Sequence, residues 1–170
     1  MLNGMPRLTI DRDSPVSLIL ELHHRRLDEM LDHVEMSVEV GNWDEARRGF
    51  AAFQTDLEEH MRLEEGLMFP SFEAFTRSPG GPTTVMRAEH DQIRAILTVL
   101  EGFLCDEQPI DEATSALETL LAAHNAKEEQ VVYPMFERHA PPEAYAALDQ
   151  ELRPLVSTRE RQRLATRSAI

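Results

Sequence analysis

The sequence predicts an all-α protein: an antiparallel, up-down-up-down four-helix bundle with a short C-terminal helix and tail. Apolar residues recur three and four positions apart in four long segments, which is the periodicity of an amphipathic helix. Glycine and proline cluster at only a few places between these segments. At 170 residues, the chain is long enough for one domain with an appended tail, and a second full domain is not expected.

The first two helices are placed by their end signals. Ser14 is expected to cap the first helix, with Pro15 at its first position, and the helix should end near Val40, before a glycine. Asn42 is expected to cap the second helix, which should continue to about Phe75.

The remaining helices follow from similar signals. The third is expected to begin at Thr83 or Thr84 and to end near Leu104, and the fourth to run from Asp111 to about Arg138. After it, residues 140–170 are predicted to form a short helix and a basic tail, which is either solvated or folds back or binds a partner.

The two halves of the bundle repeat each other. The residues of the second helix that recur 64 positions later in the fourth are His60, Glu64, Glu65, Pro70, Phe72 and Glu73. The seam positions of the first helix that are matched 66 positions later by a histidine or another apolar residue of the third are Leu20, His24, Leu27, Leu31, Val34 and Val38. We therefore predict a bundle at 14–139 made of two duplicated hairpins, 14–77 and 82–139, related by a pseudo-twofold axis. Pro70 and Pro134 should kink or end their helices at equivalent places.

Composition excludes several functions. The chain has 17 Lys and Arg against 31 Asp and Glu, a formal net charge of −14 at pH 7, so we expect no nucleic-acid and no anionic-membrane partner. A single cysteine, Cys105, excludes an intrachain disulfide and a multi-thiolate zinc site. Because no apolar run marks a signal peptide in Met1–Ile10 or a transmembrane helix elsewhere, we expect a cytoplasmic protein.

Six polar residues interrupt the apolar seams of the four helices. They are His24, His60, Glu64, His90, His124 and Glu128. An unpaired polar group in a core costs about 1–3 kcal/mol, and an uncompensated charge costs more. Each His-x-x-x-Glu pair lies on one helix face, and each of the other two helices supplies one further imidazole. We therefore predict that all six side chains meet in the core.

This donor set suits a transition metal. Four imidazoles and two carboxylates favour iron, manganese or zinc over calcium or magnesium. Twofold symmetry divides the donors between two ions, with both glutamates free to bridge. Two ferrous ions with two carboxylates carry the same net charge as two ferric ions with an added oxo bridge, so oxidation is tolerable in a buried site. We predict two iron ions with an oxo or hydroxo bridge, with zinc or manganese as alternatives.

The pattern resembles the hemerythrin-like (HHE cation-binding) domains, in which a His, a His-x-x-x-Glu, a His and a second His-x-x-x-Glu follow in order. The resemblance spans roughly residues 14–139 and rests on the strings EEHMRLEE at 58–65, AEHD at 88–91 and HNAKEE at 124–129. It implies a non-haem di-iron centre. The ligands it implies are His24 and His60 on one iron, His90 and His124 on the other, and Glu64 and Glu128 as bridges.

The choice of ligand on the first helix is between two adjacent residues, His23 and His24. We favour His24 because Leu27 and Leu31 continue its face, and we expect His23 at the surface. His33 and His139 are also expected at the surface.

Four residues beside the predicted ligands have other expected places. Glu65 and Glu129 point about 100° away from their neighbouring ligands, which indicates exposure or hydrogen bonding to the ligands. Phe69 and Tyr133 are predicted to be apolar walls, with a Tyr133 hydroxyl near the irons as the alternative.

The sequence also departs from the oxygen-carrying members of that family. The oxygen carriers that the pattern resembles have a fifth histidine four residues after the ligand of the third helix, and Arg94 stands at that position here. They also have an Asp five residues after the last histidine, whereas here Glu128 follows His124 by four residues. A symmetric site with open coordination at both irons would follow, which argues against reversible oxygen transport. The cysteine-containing segment of the related iron-sulfur repair proteins is absent from Met1–Asp13.

Three functions fit these observations. The favoured one is a di-iron protein that binds or senses O2, NO or the cellular redox state, or that handles iron. The second is an enzyme that turns over peroxide or nitric oxide at the same irons. The third is a metal-free or zinc-stabilised interaction module. The sequence leaves open whether the chain forms a homodimer or binds another protein.

Overall fold

The computed structural model describes residues 14–78 and 80–153, and this part of the chain is helical without any strand. Its α-helices are α1 (Val16–Glu39), α2 (Trp43–Leu63), α3 (Phe69–Thr76), α4 (Pro82–Cys105), α5 (Asp111–Lys127), α6 (Tyr133–His139) and α7 (142–153). Two π-helical turns, Glu64–Met68 and Glu128–Val132, join α2 to α3 and α5 to α6. The predicted all-α bundle with a short C-terminal helix is therefore confirmed.

The helices pack as two hairpins. The most extensive contacts join α1 to α2 and α4 to α5, and further contacts of α2 with α4 and of α1 with α6 hold the hairpins together. The division of the chain into a bundle at 14–139 and a C-terminal element at 140–170 stays a prediction.

Two apolar clusters fill the bundle, one on each side of a polar layer. The first contains Leu27 and Phe53, and the second contains Leu20, Phe69 and the C-terminal leucines of α7. On α1 the boundary between the two clusters falls at His24, because Leu20 belongs to one cluster and Leu27 to the other. The polar layer therefore crosses the middle of the bundle.

The helix starts differ from expectation at two prolines. Asn42 caps α2 as predicted, since its side chain accepts the backbone N–H of Glu45 at 3.3 Å. At α1, however, Pro15 and not Ser14 occupies the cap position, because its ψ of 149° keeps it extended although its φ of −64° suits a helix. Helix α4 begins at Pro82, ahead of the predicted threonines, since proline is well suited to a first helical position.

Pro70 and Pro134 neither end their helices nor interrupt them with a break. Each is the second residue after a π turn, in which the N–H of Phe69 bonds to the carbonyl of Glu64 and the N–H of Tyr133 to that of Glu128. A proline lacks an N–H and its ring collides with the carbonyl four residues before it in an α-helix. A wider turn ahead of the proline relieves this conflict, so the same distortion occurs twice.

Helix α7 closes one end of the bundle. Leu148 and Leu152 are fully buried in the second apolar cluster. The hydroxyl of Tyr145 accepts the N–H of Val16 at 3.2 Å, and Arg153 donates to the carbonyl of Ser14 at 2.9 Å. The arginines predicted to form the basic tail after residue 153, and the N-terminal segment before Ser14, lie outside the described residues. Within residues 14–78 and 80–153, no helix combines the length and the apolar character of a membrane span.

We expect Phe53→Ala to lower the free energy of unfolding by about 3–5 kcal/mol, because the ring is wholly buried in the first cluster and its removal leaves a cavity. Chemical denaturation of metal-free protein measures this change. Phe103→Ala is the matched control, since that ring is 39% exposed and its removal should cost about 0.5 kcal/mol. Equal losses in the two variants would contradict the assignment of Phe53 to the core.

Candidate metal centre

All six residues predicted from the helix seams meet in the polar layer. None is more than 3% exposed, and Glu64, His90 and Glu128 are completely buried. They form two overlapping groups whose donor atoms lie within 4.8 Å of one another. One group holds His24 and His60, the other holds His90 and His124, and both share the two glutamates. The structure therefore brings together the arrangement that the duplicated hairpins predict.

Each carboxylate faces both histidine pairs. Glu64 Oε1 lies 3.3 Å from His60 Nε2 while its Oε2 lies 3.4 Å from His90 Nε2. The corresponding distances for Glu128 are 3.5 Å from Oε2 to His24 Nε2 and 3.1 Å from Oε1 to His124 Nε2. One oxygen of each glutamate is thus directed to each half of the site.

The spacing of the imidazole nitrogens suits ligands of one ion. The Nε2 atoms of His24 and His60 are 3.0 Å apart, and those of His90 and His124 are 3.1 Å apart. Two donors about 2.1 Å from a common ion and at right angles to each other stand about 3.0 Å apart. Each pair of nitrogens is therefore spaced as two neighbouring ligands would be.

The other ring nitrogen of each of the four histidines, Nδ1, bonds to a residue that is not one of the six predicted ligands. The Nδ1 contacts are His24 to Glu129 at 2.8 Å, His60 to Nδ1 of His23 at 3.0 Å, His90 to Glu65 at 2.7 Å and His124 to Glu89 at 2.9 Å. A carboxylate that accepts an Nδ1–H leaves the Nε2 lone pair free for a metal and fixes the ring orientation. Of the two places expected for Glu65 and Glu129, exposure or hydrogen bonding to the predicted ligands, the structure shows the hydrogen bonds.

His23 is not at the surface, which corrects the sequence prediction. It is buried, at 2% exposure, and contacts His60, while His33 and His139 are exposed as predicted. The 66-residue offset that relates α1 to α4 makes His23 the equivalent of Glu89, whose carboxylate bonds to Nδ1 of His124. This equivalence in the sequence is the signal that could have placed His23 in the core, because each of the two residues bonds to Nδ1 of a predicted ligand of its own hairpin.

Tyr133 is part of the site and not an apolar wall. Its hydroxyl oxygen lies 2.6 Å from Glu64 Oε1, 3.0 Å from Glu128 Oε2, 3.0 Å from His24 Nε2 and 3.3 Å from His60 Nε2. The equivalent residue of the other hairpin, Phe69, is an apolar wall as predicted, and its ring stacks on that of His90 at 5.7 Å.

The π turn explains the position of Tyr133. In an α-helix a residue five positions after Glu128 would lie about 140° around the axis from it. The π turn includes one more residue and bonds Tyr133 N–H directly to Glu128 O, so the two side chains lie on the same face. The same geometry brings Phe69 beside the other half.

Arg94 supports the site without entering it. Its guanidinium donates to Glu65 Oε1 at 3.0 Å and also bonds to the exposed Glu58. Glu65 in turn accepts from His90. The residue that stands in place of a fifth histidine therefore positions the carboxylate that orients a predicted ligand.

The two buried carboxylates of the polar layer favour positive charge on the groups around them. Burial opposes ionisation of His24 and His124, yet the neighbouring carboxylates, Glu128 foremost, raise the pKa of each to about 9. Burial also opposes ionisation of Glu64, but the adjacent imidazoles hold its pKa well below the ordinary value. Burial and the charges of both glutamates raise the pKa of Tyr133 well above the usual value for tyrosine. A metal ion that binds here must displace the imidazole protons.

Two carboxylate oxygens provide an independent test of fit to a metal. Among the described residues, Glu64 Oε2 and Glu128 Oε1 are buried and accept no hydrogen bond of acceptable geometry. A buried carboxylate oxygen without a donor is costly, whereas a cation between the two histidine pairs would satisfy both oxygens. The nitrogen and oxygen donors therefore fit a borderline transition metal.

The fold and the site define a helical bundle with a buried cluster of histidines and glutamates whose donor atoms suit a metal. The model of the family described as "Hemerythrin HHE cation binding domain" matches the chain over residues 17–136 and over residues 84–158. The chain belongs to this family.

A relative of stated function is more distant. The iron-sulfur cluster repair protein YtfE of Dickeya chrysanthemi (strain Ech1591) is 26% identical over 119 residues, covering 65% of this chain and 54% of the relative. The chain thus spans about half the length of that curated relative. No solved structure gives a significant match.

Removing Glu65 should weaken metal binding about 10- to 100-fold, because Glu65→Ala leaves the Nδ1 of His90 without its acceptor. Titration of the metal-free protein with Zn(II), in competition with a chromophoric chelator, measures the affinity. Glu58→Ala is the matched control, since Glu58 bonds to the same arginine but contacts no histidine of the site. A Glu65→Ala affinity equal to that of the control would contradict a role for Glu65 in holding His90.

Proposed function

We propose that this protein holds two iron ions in the polar layer and uses them to bind or sense a small diatomic molecule, O2 or NO. The observation that carries the proposal is that each of the two buried glutamates directs one oxygen to each histidine pair. Such an arrangement supports two ions bridged by two carboxylates better than a single ion with six ligands. The ligand set proposed is that of the six seam residues.

Iron is favoured over zinc and manganese by the comparisons. The family is a cation-binding one, and the relative's name concerns iron-sulfur clusters. The donor set itself accommodates all three metals. Because the chain spans about half of that relative, we do not extend the relative's repair activity to it.

Burial supports a small ligand. The donors are enclosed between two apolar clusters, and no predicted ligand is more than 3% exposed. A diatomic molecule can reach such a site through small fluctuations of the packing, whereas a larger substrate would require an open cleft. When bound, the iron pair would supply one electron from each ion and a position for the incoming molecule.

The residues of the chain have defined tasks in this scheme. The imidazoles present Nε2 to the ions because Glu65, Glu89, Glu129 and His23 hold their Nδ1 atoms. The apolar clusters exclude water, which strengthens the electrostatic interactions inside. The two carboxylates neutralise part of the charge of the ions in either oxidation state.

Elemental analysis and an absorption spectrum of anaerobically purified protein test the proposal. We expect about two irons per chain, and we expect ferric charge-transfer bands to grow in the near ultraviolet when air is admitted. Zinc or no metal, with an unchanged spectrum after iron reconstitution, would instead support the interaction module. Steady-state assays with peroxide or nitric oxide separate the enzyme from the binder, because a binder reacts once per site and stops.

The bridging assignment is tested by substitution. Glu64→Ala and Glu128→Ala should each lower the iron content of the purified protein, because each substitution removes one carboxylate oxygen from each half of the site. Glu101→Ala, at an exposed position, should retain the iron content of the original protein. If both buried variants bound as much iron as the control, the bridging roles would be wrong.

A further inference from the structure

The two halves of the metal site are unequal at one pair of equivalent positions. Tyr133 and Phe69 are related by the 64-residue offset, and each follows its π turn directly. Only the tyrosine has an oxygen, and it is directed into the half that holds His24 and His60. The duplicated fold thus presents an additional donor to one half and a phenyl ring to the other.

The hydroxyl oxygen of Tyr133 has the spacing of a ligand. Its distances to the four donor atoms of that half fall between 2.6 and 3.3 Å. The two imidazole nitrogens of the same half are 3.0 Å apart. The phenol oxygen is therefore spaced from these donors as neighbouring ligands of one ion would be, and the side chain is only 1% exposed.

We propose that Tyr133 is an additional metal ligand, as a phenolate, for the ion held by His24 and His60. The inference rests on the proposed function, namely that iron occupies this layer. Binding breaks the phenol O–H bond and forms an O–Fe bond, the proton leaves to the solvent, and no electron is transferred. Phenolate is an established protein ligand of ferric iron, and a bound cation makes deprotonation favourable in a site that otherwise opposes it.

This assignment locates the position that is open to a small molecule. With Tyr133 bound, the first half has five protein donors: two imidazoles, two carboxylates and the phenolate. The second half has four, because the Phe69 ring stacks on His90 and offers no donor atom. With the proposed oxo or hydroxo bridge as a further donor to each ion, the first half would have six donors and the second five, so an incoming O2 or NO would bind in the half of His90 and His124. Under this proposal one half stays open, whereas the departures from the oxygen carriers alone predict open positions at both irons.

A neutral phenol is the competing arrangement. Its hydroxyl would donate a hydrogen bond to Glu64 Oε1, to which it lies 2.6 Å away, without touching the ion. The two arrangements differ in one observable: a phenolate bound to ferric iron absorbs visible light through charge transfer from the ring, and a hydrogen-bonded phenol does not.

The test is a visible absorption and resonance Raman measurement on full-length protein loaded with iron and oxidised in air, with the iron counted by elemental analysis. We expect a visible charge-transfer band whose excitation enhances phenolate ring modes. Those modes should shift when the protein is produced with ring-deuterated tyrosine. Because this part uses the unaltered chain, it does not depend on whether a variant folds.

Two variants assign the band to one residue, since the chain has two tyrosines, Tyr133 and Tyr145. Tyr133→Phe should lose the visible band completely while retaining about two irons. Tyr145→Phe is the matched control and should retain the band, because Tyr145 bonds to Val16 and Glu137 outside the site. The circular dichroism of both variants should match that of the original protein.

The outcomes separate this inference from the proposed function. Two bound irons without a visible phenolate band, or a band that persists in Tyr133→Phe, would overturn the ligand assignment and leave the di-iron proposal standing. A chain that binds no iron would overturn both.

Discussion

Two buried carboxylates at the centre of four helices are the constraint on which the rest of this structure depends. An unpaired buried carboxylate costs several kcal/mol, and Glu64 and Glu128 are close enough that each makes the other's charge more costly. Positive charge must therefore lie between them, from protonated imidazoles or from metal ions. The four histidines supply this charge or the ligands of the ions that carry it, and the residues that hold their Nδ1 atoms fix the rings in place. The two apolar clusters enclose the layer on both sides.

The backbone is adapted to the same layer. Both glutamates begin a π turn, and the widened turns serve two purposes at once. They accommodate the prolines that follow, and they rotate the fifth residue after each glutamate onto the ligand face. One of these residues is Phe69 and the other is Tyr133, so an almost symmetric backbone carries an asymmetric site.

Much of this arrangement is predictable from the sequence, because helical periodicity and the two constant offsets identify which residues face inward. Those signals specify the bundle and bring His60 and Glu64 onto one face, since four-residue spacing is independent of tertiary detail. They do not predict that His23 is buried, because the apolar pattern is assigned to a single line of residues through His24. The buried face of α1 is wide enough to include both adjacent histidines. For Tyr133 the sequence favours an apolar wall over a hydroxyl near the irons for a different reason: its place depends on a π turn, and a period of 3.6 residues directs it away from Glu128.

The central claim is that the six seam residues hold two iron ions. The most direct test is anomalous diffraction on crystals of the iron-loaded protein, with data collected on both sides of the iron absorption edge. The account predicts two anomalous peaks, one between His24 and His60 and the other between His90 and His124, with both glutamates in contact with each. A single peak, or peaks outside the polar layer, would contradict it.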